Sequence, residues 1–143
     1  MNDAIIYFLE EQTCASLCCI DERGNPYCFS CFLALNSADG LLYFKSSVES
    51  QHALLVAENP VIAGTVLPDK LNRLLIKGIQ FTGTVLPADN SLTQKAYFFY
   101  HKKFPMALAI TGRAYAIEIN SIKMTDSSKL FRGKLLWNKP LTV

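Results

Sequence analysis

The fold class read from this chain is mainly β with flanking helices, a small antiparallel barrel that is closed or partly split. Three observations carry it. The first strand-like runs follow one another across short turns, whereas a parallel sheet needs a helix after nearly every strand. The long β-rich run from Arg73 to Leu86 contains Gly78 and Gly83, and glycine inside a strand marks the bend or bulge that a curling wall requires. Half of the 143 residues are hydrophobic, enough for one domain, 1–143, with a sizeable core.

Taken in order, Asp3 to Gln12 reads as a helix capped by Asn2 or Asp3, with Ile5, Phe8 and Leu9 on one face. Thr13 to Ile20 and Pro26 to Asn36 flank the turn cluster Asp21 to Asn25 and form a hairpin. In its second strand Phe29 and Cys31 alternate with Cys28 and Ser30. A second turn, Asn36 to Gly40, leads into the aromatic strand Leu41 to Phe44. A helix follows, begun among Ser46, Ser47 and Ser50 and stopped by Asn59-Pro60. Val61 to Leu67 is a strand, joined by Pro68 to Asn72 to the long run already described. Ser91 to His101 reads as a helix ended at Phe104-Pro105, and Arg113 to Ile122 and Lys129 to Trp137 as the last strands. Gly-Thr-Val-Leu-Pro occurs at both Gly64 and Gly83, each a strand running into a proline-marked turn and too short for a structural repeat.

Composition excludes several classes. Charged residues are 18% of the chain, a low share that points to apolar surface covered by a second subunit. A net charge of +2 lacks the basic excess of a nucleic-acid or membrane binder, although Lys123, Lys129, Arg132, Lys134 and Lys139 with Phe131 and Trp137 could track a backbone. The amino terminus lacks a signal-peptide pattern and no apolar run is long enough to span a membrane, so the expected location is the cytoplasm. Five cysteines include Cys28 and Cys31 at C-x-x-C spacing. In a strand these two face opposite sides, so zinc is not expected and the thiols read mostly as core residues in a reducing compartment.

The stretch with chemical potential is the junction of Leu41 to Phe44 with the helix that follows. A helix start offers unpaired N–H groups and a partial positive charge, and Lys45, Ser46, Ser47, Ser50 and His52 add donors there. That combination fits phosphate. The alternative is an ordinary cap, with Ser47 or Ser50 closing the first turn. His101 reads as a surface residue or a helper at its helix end, and Tyr97 and Tyr100 as packing residues.

The same stretch resembles the pyridoxamine 5'-phosphate oxidase-like FMN-binding split barrels. Ser46, Ser50-Gln51-His52, Asn59-Pro60 and Val61 to Val66 stand where that family has a hydroxyl residue, Ser-Arg-Lys, Asn-Pro and the next strand. Over nearly the whole chain, Ala63 to Val66, Gly78 to Gly83, Lys95 to Tyr97, Phe104 to Ala107 and Ile122 to Asp126 resemble a bacterial branch of that superfamily. The resemblance implies a Greek-key split barrel acting as a homodimer, with FMN in the interface clefts and a flavin-dependent oxidoreductase activity on a small molecule. It implies phosphate ligation by Ser46, Ser50, Gln51 and His52, and flavin-ring contacts from Thr65 and from Gln80 on the inward parity of its strand. Lys134 and Trp137 would approach from the other subunit. Gln51 and His52 replace the family's Arg and Lys, so binding is expected to be weaker and pH-sensitive. The C-terminal segment Leu135 to Leu141 lacks the family's arginine and histidine pair, which argues against pyridoxamine phosphate as substrate. A non-catalytic binding or storage protein for flavin or haem is the alternative.

Overall fold

The computed structural model describes residues 1–128 and 133–142. Its strands are β1 (Cys14–Ile20), β2 (Pro26–Phe32), β3 (Ala34–Asn36), β4 (Leu41–Ser46), β5 (Val61–Val66), β6 (Lys77–Val85), β7 (Arg113–Asp126) and β8 (Lys134–Asn138). They form one antiparallel sheet in the order β2-β1-β5-β6-β7-β4-β3, with β8 also paired to β7. The expected single strand from Pro26 to Asn36 is interrupted at Leu33, and this break closes the sheet. Its first half pairs with β1 and its second with β4, so one bent strand supplies both ends of the order.

β7 is the longest strand, extending past the expected end at Ile122 to Asp126. β6 borders it on one side, while on the other it pairs with β4 through its first half and β8 through its second. Between the halves the register slips, Thr82 facing Ser121 but Gly83 facing Ile119, so Asn120 is the extra residue of a bulge. The slip moves the inward set from Tyr115, Ile117 and Ile119 to Ile122 and Met124, as one inserted residue must. Gly83 permits the close approach. A Cβ there would lie 2.6 Å from the Ile117 Cγ2 and 2.7 Å from the Glu118 carbonyl oxygen.

The barrel core gathers Leu17 and Cys19 of β1, Leu42 and Phe44 of β4, Ile79 and Phe81 of β6, and Ile117 and Ile119 of β7. α1 (Asp3–Glu11) adds Ile5, Phe8 and Leu9, and α2 (Gln51–Glu58) adds Ala53, Leu55 and Val56. A second cluster lies outside the barrel wall, where Leu41 and Tyr43 of β4 meet Ala96 and Tyr100. The helix expected over Ser91 to His101 is two helices, α3 (Ser91–Gln94) and α4 (Ala96–Lys103), followed by a 3-10 turn at Pro105–Ala109.

Other boundaries also shift. The first part of the run from Arg73 is turn and coil, and β6 begins at Lys77. The last strand begins at Lys134, and the expected residues Lys129 to Arg132, including Phe131, lie outside the described residues. Among the described residues no helix is long and apolar enough to cross a membrane.

Candidate functional site

α2 begins where β4 ends because Ser50 caps it: the Ser50 Oγ accepts from the Ala53 N–H at 3.3 Å and donates to the Ser47 carbonyl at 2.7 Å. Strand alternation sends Ser46 to the same side as Phe44, towards this cap. The Ser46 Oγ lies 3.2 Å from the Ser50 Oγ and 2.5 Å from the His52 Nε2, and the Ser50 Oγ is 3.2 Å from the same nitrogen. The His52 ring stacks on Phe29 of β2 with centroids 3.9 Å apart. Burial pushes its pKa below the ordinary histidine value, which favours neutral imidazole in the free protein. Ser46, Ser50 and His52 therefore converge as expected. Ser47 contributes turn bonds, its Oγ accepting from the Glu49 N–H at 3.2 Å, and Gln51 stands exposed on the first turn.

Lys45 does not join this cradle. It follows Phe44 and precedes Ser46, so its side chain leaves on the opposite face of β4. There its ammonium donates to the Ala107 and Ile110 carbonyls at 2.8 and 2.6 Å and meets the His101 Nε2 at 3.0 Å. His101 is buried rather than a surface residue. Its Nδ1 lies 2.8 Å from the Tyr97 carbonyl, so a proton on Nδ1 leaves Nε2 as the acceptor for Lys45. This pair ties α4 and the 3-10 turn to the barrel wall.

The cation that stands beside the cradle is one the motif reading missed. Arg113 opens β7 directly across from Ser46, and its guanidinium lies 5.2 Å from the Tyr115 ring centroid. Among the described residues no carboxylate pairs with it. Only the β4–β7 register brings it here, across more than sixty residues of chain. It borders an apolar groove of about 530 Å³ between α2 and the chain that follows β6, formed by Leu54, Ala57, Val85, Pro87 and Tyr115.

Thr65 and Gln80 form a second cluster. They are cross-strand partners on β5 and β6, and both are exposed on the outer wall. Gln80 thus lies on the outward parity, contrary to the expectation, because Ile79 and Phe81 fill the interior. Ser30, Ser16, Thr65, Gln80, Lys123 and Leu136 make one continuous cross-strand row. Much of this row lines a groove of about 590 Å³. Lys134 is exposed, but Trp137 packs inward against its own barrel core and over Gly40. Of the cations considered for a nucleic-acid track, Lys139 is paired with Glu118 at 2.6 Å, and Lys129 and Arg132 lie outside the described residues.

Similarity to known proteins agrees with this architecture. The chain is 29% identical over 139 residues to a UPF0306 protein of Photorhabdus laumondii, covering 96% of each chain. It is 30% identical over 132 residues to a UPF0306 protein of Yersinia pseudotuberculosis, covering 92% of this chain and 89% of the relative. Among solved structures, a haem-binding protein of Mycobacterium smegmatis superposes with a TM-score of 0.76 at 10% identity, over 92% of this chain and 55% of that one. A FAD-binding protein of Mesorhizobium loti gives 0.66 at 16% identity, over 85% and 91%. An F420 reductase gives 0.61 at 17%, over 81% and 93%. Comparison with protein-family models finds no match. The split-barrel fold is shared with those structures, and by its sequence the chain belongs to the UPF0306 family.

Proposed function

We propose that the chain binds FMN and serves as a flavin-dependent oxidoreductase for a small molecule, acting as a homodimer with the cofactor in the cleft between subunits. The observation that carries this reading is the convergence of Ser46, Ser50 and His52 at the start of α2. Two hydroxyls, an imidazole and a helix N-terminus suit a phosphate monoester. The helix has no acidic residue in its first turn, and Arg113 supplies a fixed cation across the strand pair. The residues present therefore fit the phosphate end of the cofactor. The row through Thr65 and Gln80 offers an outer wall with hydroxyl and amide groups for the ring end. Fold neighbours named for binding FAD or haem, and one named for F420 reduction, support a planar redox cofactor.

When bound, the flavin would supply hydride or electron transfer. Ser46 would donate its hydroxyl proton to a phosphate oxygen, Ser50 would do so on releasing its bond to the Ser47 carbonyl, and His52 would take up a proton to face the anion. Arg113 neutralises the charge that Gln51 no longer opposes. Thr65 and Gln80 orient the ring and, with the second subunit, keep water from it.

Flavin is favoured over haem by the histidines. His101 is buried with both ring nitrogens engaged and offers no free axial ligand, and the Nε2 of His52 faces two serines, a setting suited to a phosphate oxygen. The test is the absorption spectrum of the purified protein before and after adding FMN, with any released cofactor identified by mass. Flavin bands that are lost in Ser50→Ala/His52→Ala are expected. A colourless protein that neither binds FMN nor is stabilised by it would overturn the reading.

A further inference from the structure

Cys18 and Cys28 face each other across the β1–β2 hairpin. The ladder's phase is fixed at both ends. Asp21 N–H donates to the Asn25 carbonyl at 2.9 Å, and Leu33 N–H to the Thr13 carbonyl at 2.9 Å. Antiparallel pairs alternate between hydrogen-bonded and non-hydrogen-bonded, so counting from either end makes Cys18–Cys28 a non-hydrogen-bonded pair. Such pairs hold their Cα atoms about 4.5 Å apart, inside the range of about 4.4–6.8 Å that a disulfide needs.

The two thiols share the outer face. Cys28 is exposed, Cys18 is half-buried, and both line the groove beside Ala63 and Thr82. The expectation of core thiols holds fully only for Cys19. Cys31 points inward, where burial pushes its thiol up to about 12, and Cys14 faces Phe32 at the far end of the hairpin. Burial first, then a hydrogen bond and charge interaction with Cys28, raise the Cys18 thiol, so the two side chains interact.

We propose that Cys18 and Cys28 form a redox-active dithiol, a thiol–disulfide exchange site for low-molecular-weight disulfides on the groove wall. Cys28, the exposed member, attacks one sulfur of the small disulfide as a thiolate. The substrate S–S bond breaks, a mixed disulfide forms on Cys28, and the first small thiol leaves with a proton. Cys18 then attacks the Cys28 sulfur, the mixed bond breaks, and the second small thiol leaves with the other proton. The protein dithiol loses two electrons and the small disulfide gains them. The site stands on the hairpin register, and because it shares its groove with the ring end of the proposed flavin site, it is tested in flavin-free protein.

Oxidised glutathione is the probe, and peptide mapping by mass spectrometry is the readout. In the reduced folded protein, Cys28 should be alkylated ahead of Cys18. After oxidised glutathione the wild type should carry a Cys18–Cys28 cross-link reversed by dithiothreitol. Cys18→Ser, or Cys18→Ala should the first fail to fold, should instead accumulate a glutathione adduct on Cys28. Cys28→Ser should give neither cross-link nor adduct on Cys18. A persistent Cys28 adduct in the wild type, a cross-link through Cys14, Cys19 or Cys31, or a Cys28 closed to the alkylating agent would overturn the proposal.

Discussion

His52 carries the pH dependence of the cradle. Burial lowers its pKa in the folded chain, so its contribution to stability is present above the ordinary histidine value and is lost as pH falls through the folded value. Thermal melting of the free protein is therefore expected to weaken below about pH 6.5, and His52→Gln should flatten that part of the profile. Phosphate reverses the preference by favouring imidazolium, so FMN binding takes up a proton and affinity should fall from about pH 6 to about pH 8.5. A flat affinity profile would remove His52 from the phosphate shell. Arg113→Met should weaken FMN by about tenfold, near 1.4 kcal/mol, without changing the slope. The serines and His52 were legible in the sequence because they are close along the chain. Arg113 was not, because it reaches Ser46 only through the pairing of β4 with β7. Lys45 was misplaced where local alternation would have placed it: neighbouring residues of a strand point to opposite faces.

At the scale of elements, two short features position the site. Ser50 caps α2 and also faces the cradle, so Ser50→Ala should lower stability by about 1 kcal/mol, measured by denaturant unfolding, in addition to its effect on phosphate. The bulge at Asn120 lets β7 serve β4 first and β8 afterwards. Gly83→Val would drive a branched side chain into Ile117 and the Glu118 carbonyl, and a loss of about 1–3 kcal/mol is expected from overpacking. An unchanged melting temperature would show that the bulge can relax. The two glycines of the long run announced curvature in the sequence, but not which strand carries the extra residue. That residue lies on β7, whose alternation was read only as far as Ile122, before the parity change became visible. The inward placement given to Gln80 failed for a related reason: the parity of β6 is set by Ile79 and Phe81 filling the core.

For the whole molecule, the barrel follows from the bend at Leu33, which joins the first and last strands of the sheet order. Antiparallel strands, short turns and apolar alternation made the class readable, because each is a local pattern. The closure was not, because it depends on one strand exchanging partners. The closed wall leaves the candidates in two groups, the cradle at the start of α2 and the outer row through Thr65 and Gln80. A ligand with a phosphate at one end and a planar ring at the other is the chemistry proposed to join them. The most direct measurement is a paired equilibrium titration with FMN and riboflavin, which differ at the phosphate. With hydrogen bonds to a charged group worth about 1.5–3 kcal/mol each, FMN is expected to bind about a hundredfold tighter or more. That preference should largely disappear in Ser50→Ala/His52→Ala. Equal affinity for the two flavins, or a preference for FMN that survives the double substitution, would contradict the phosphate cradle.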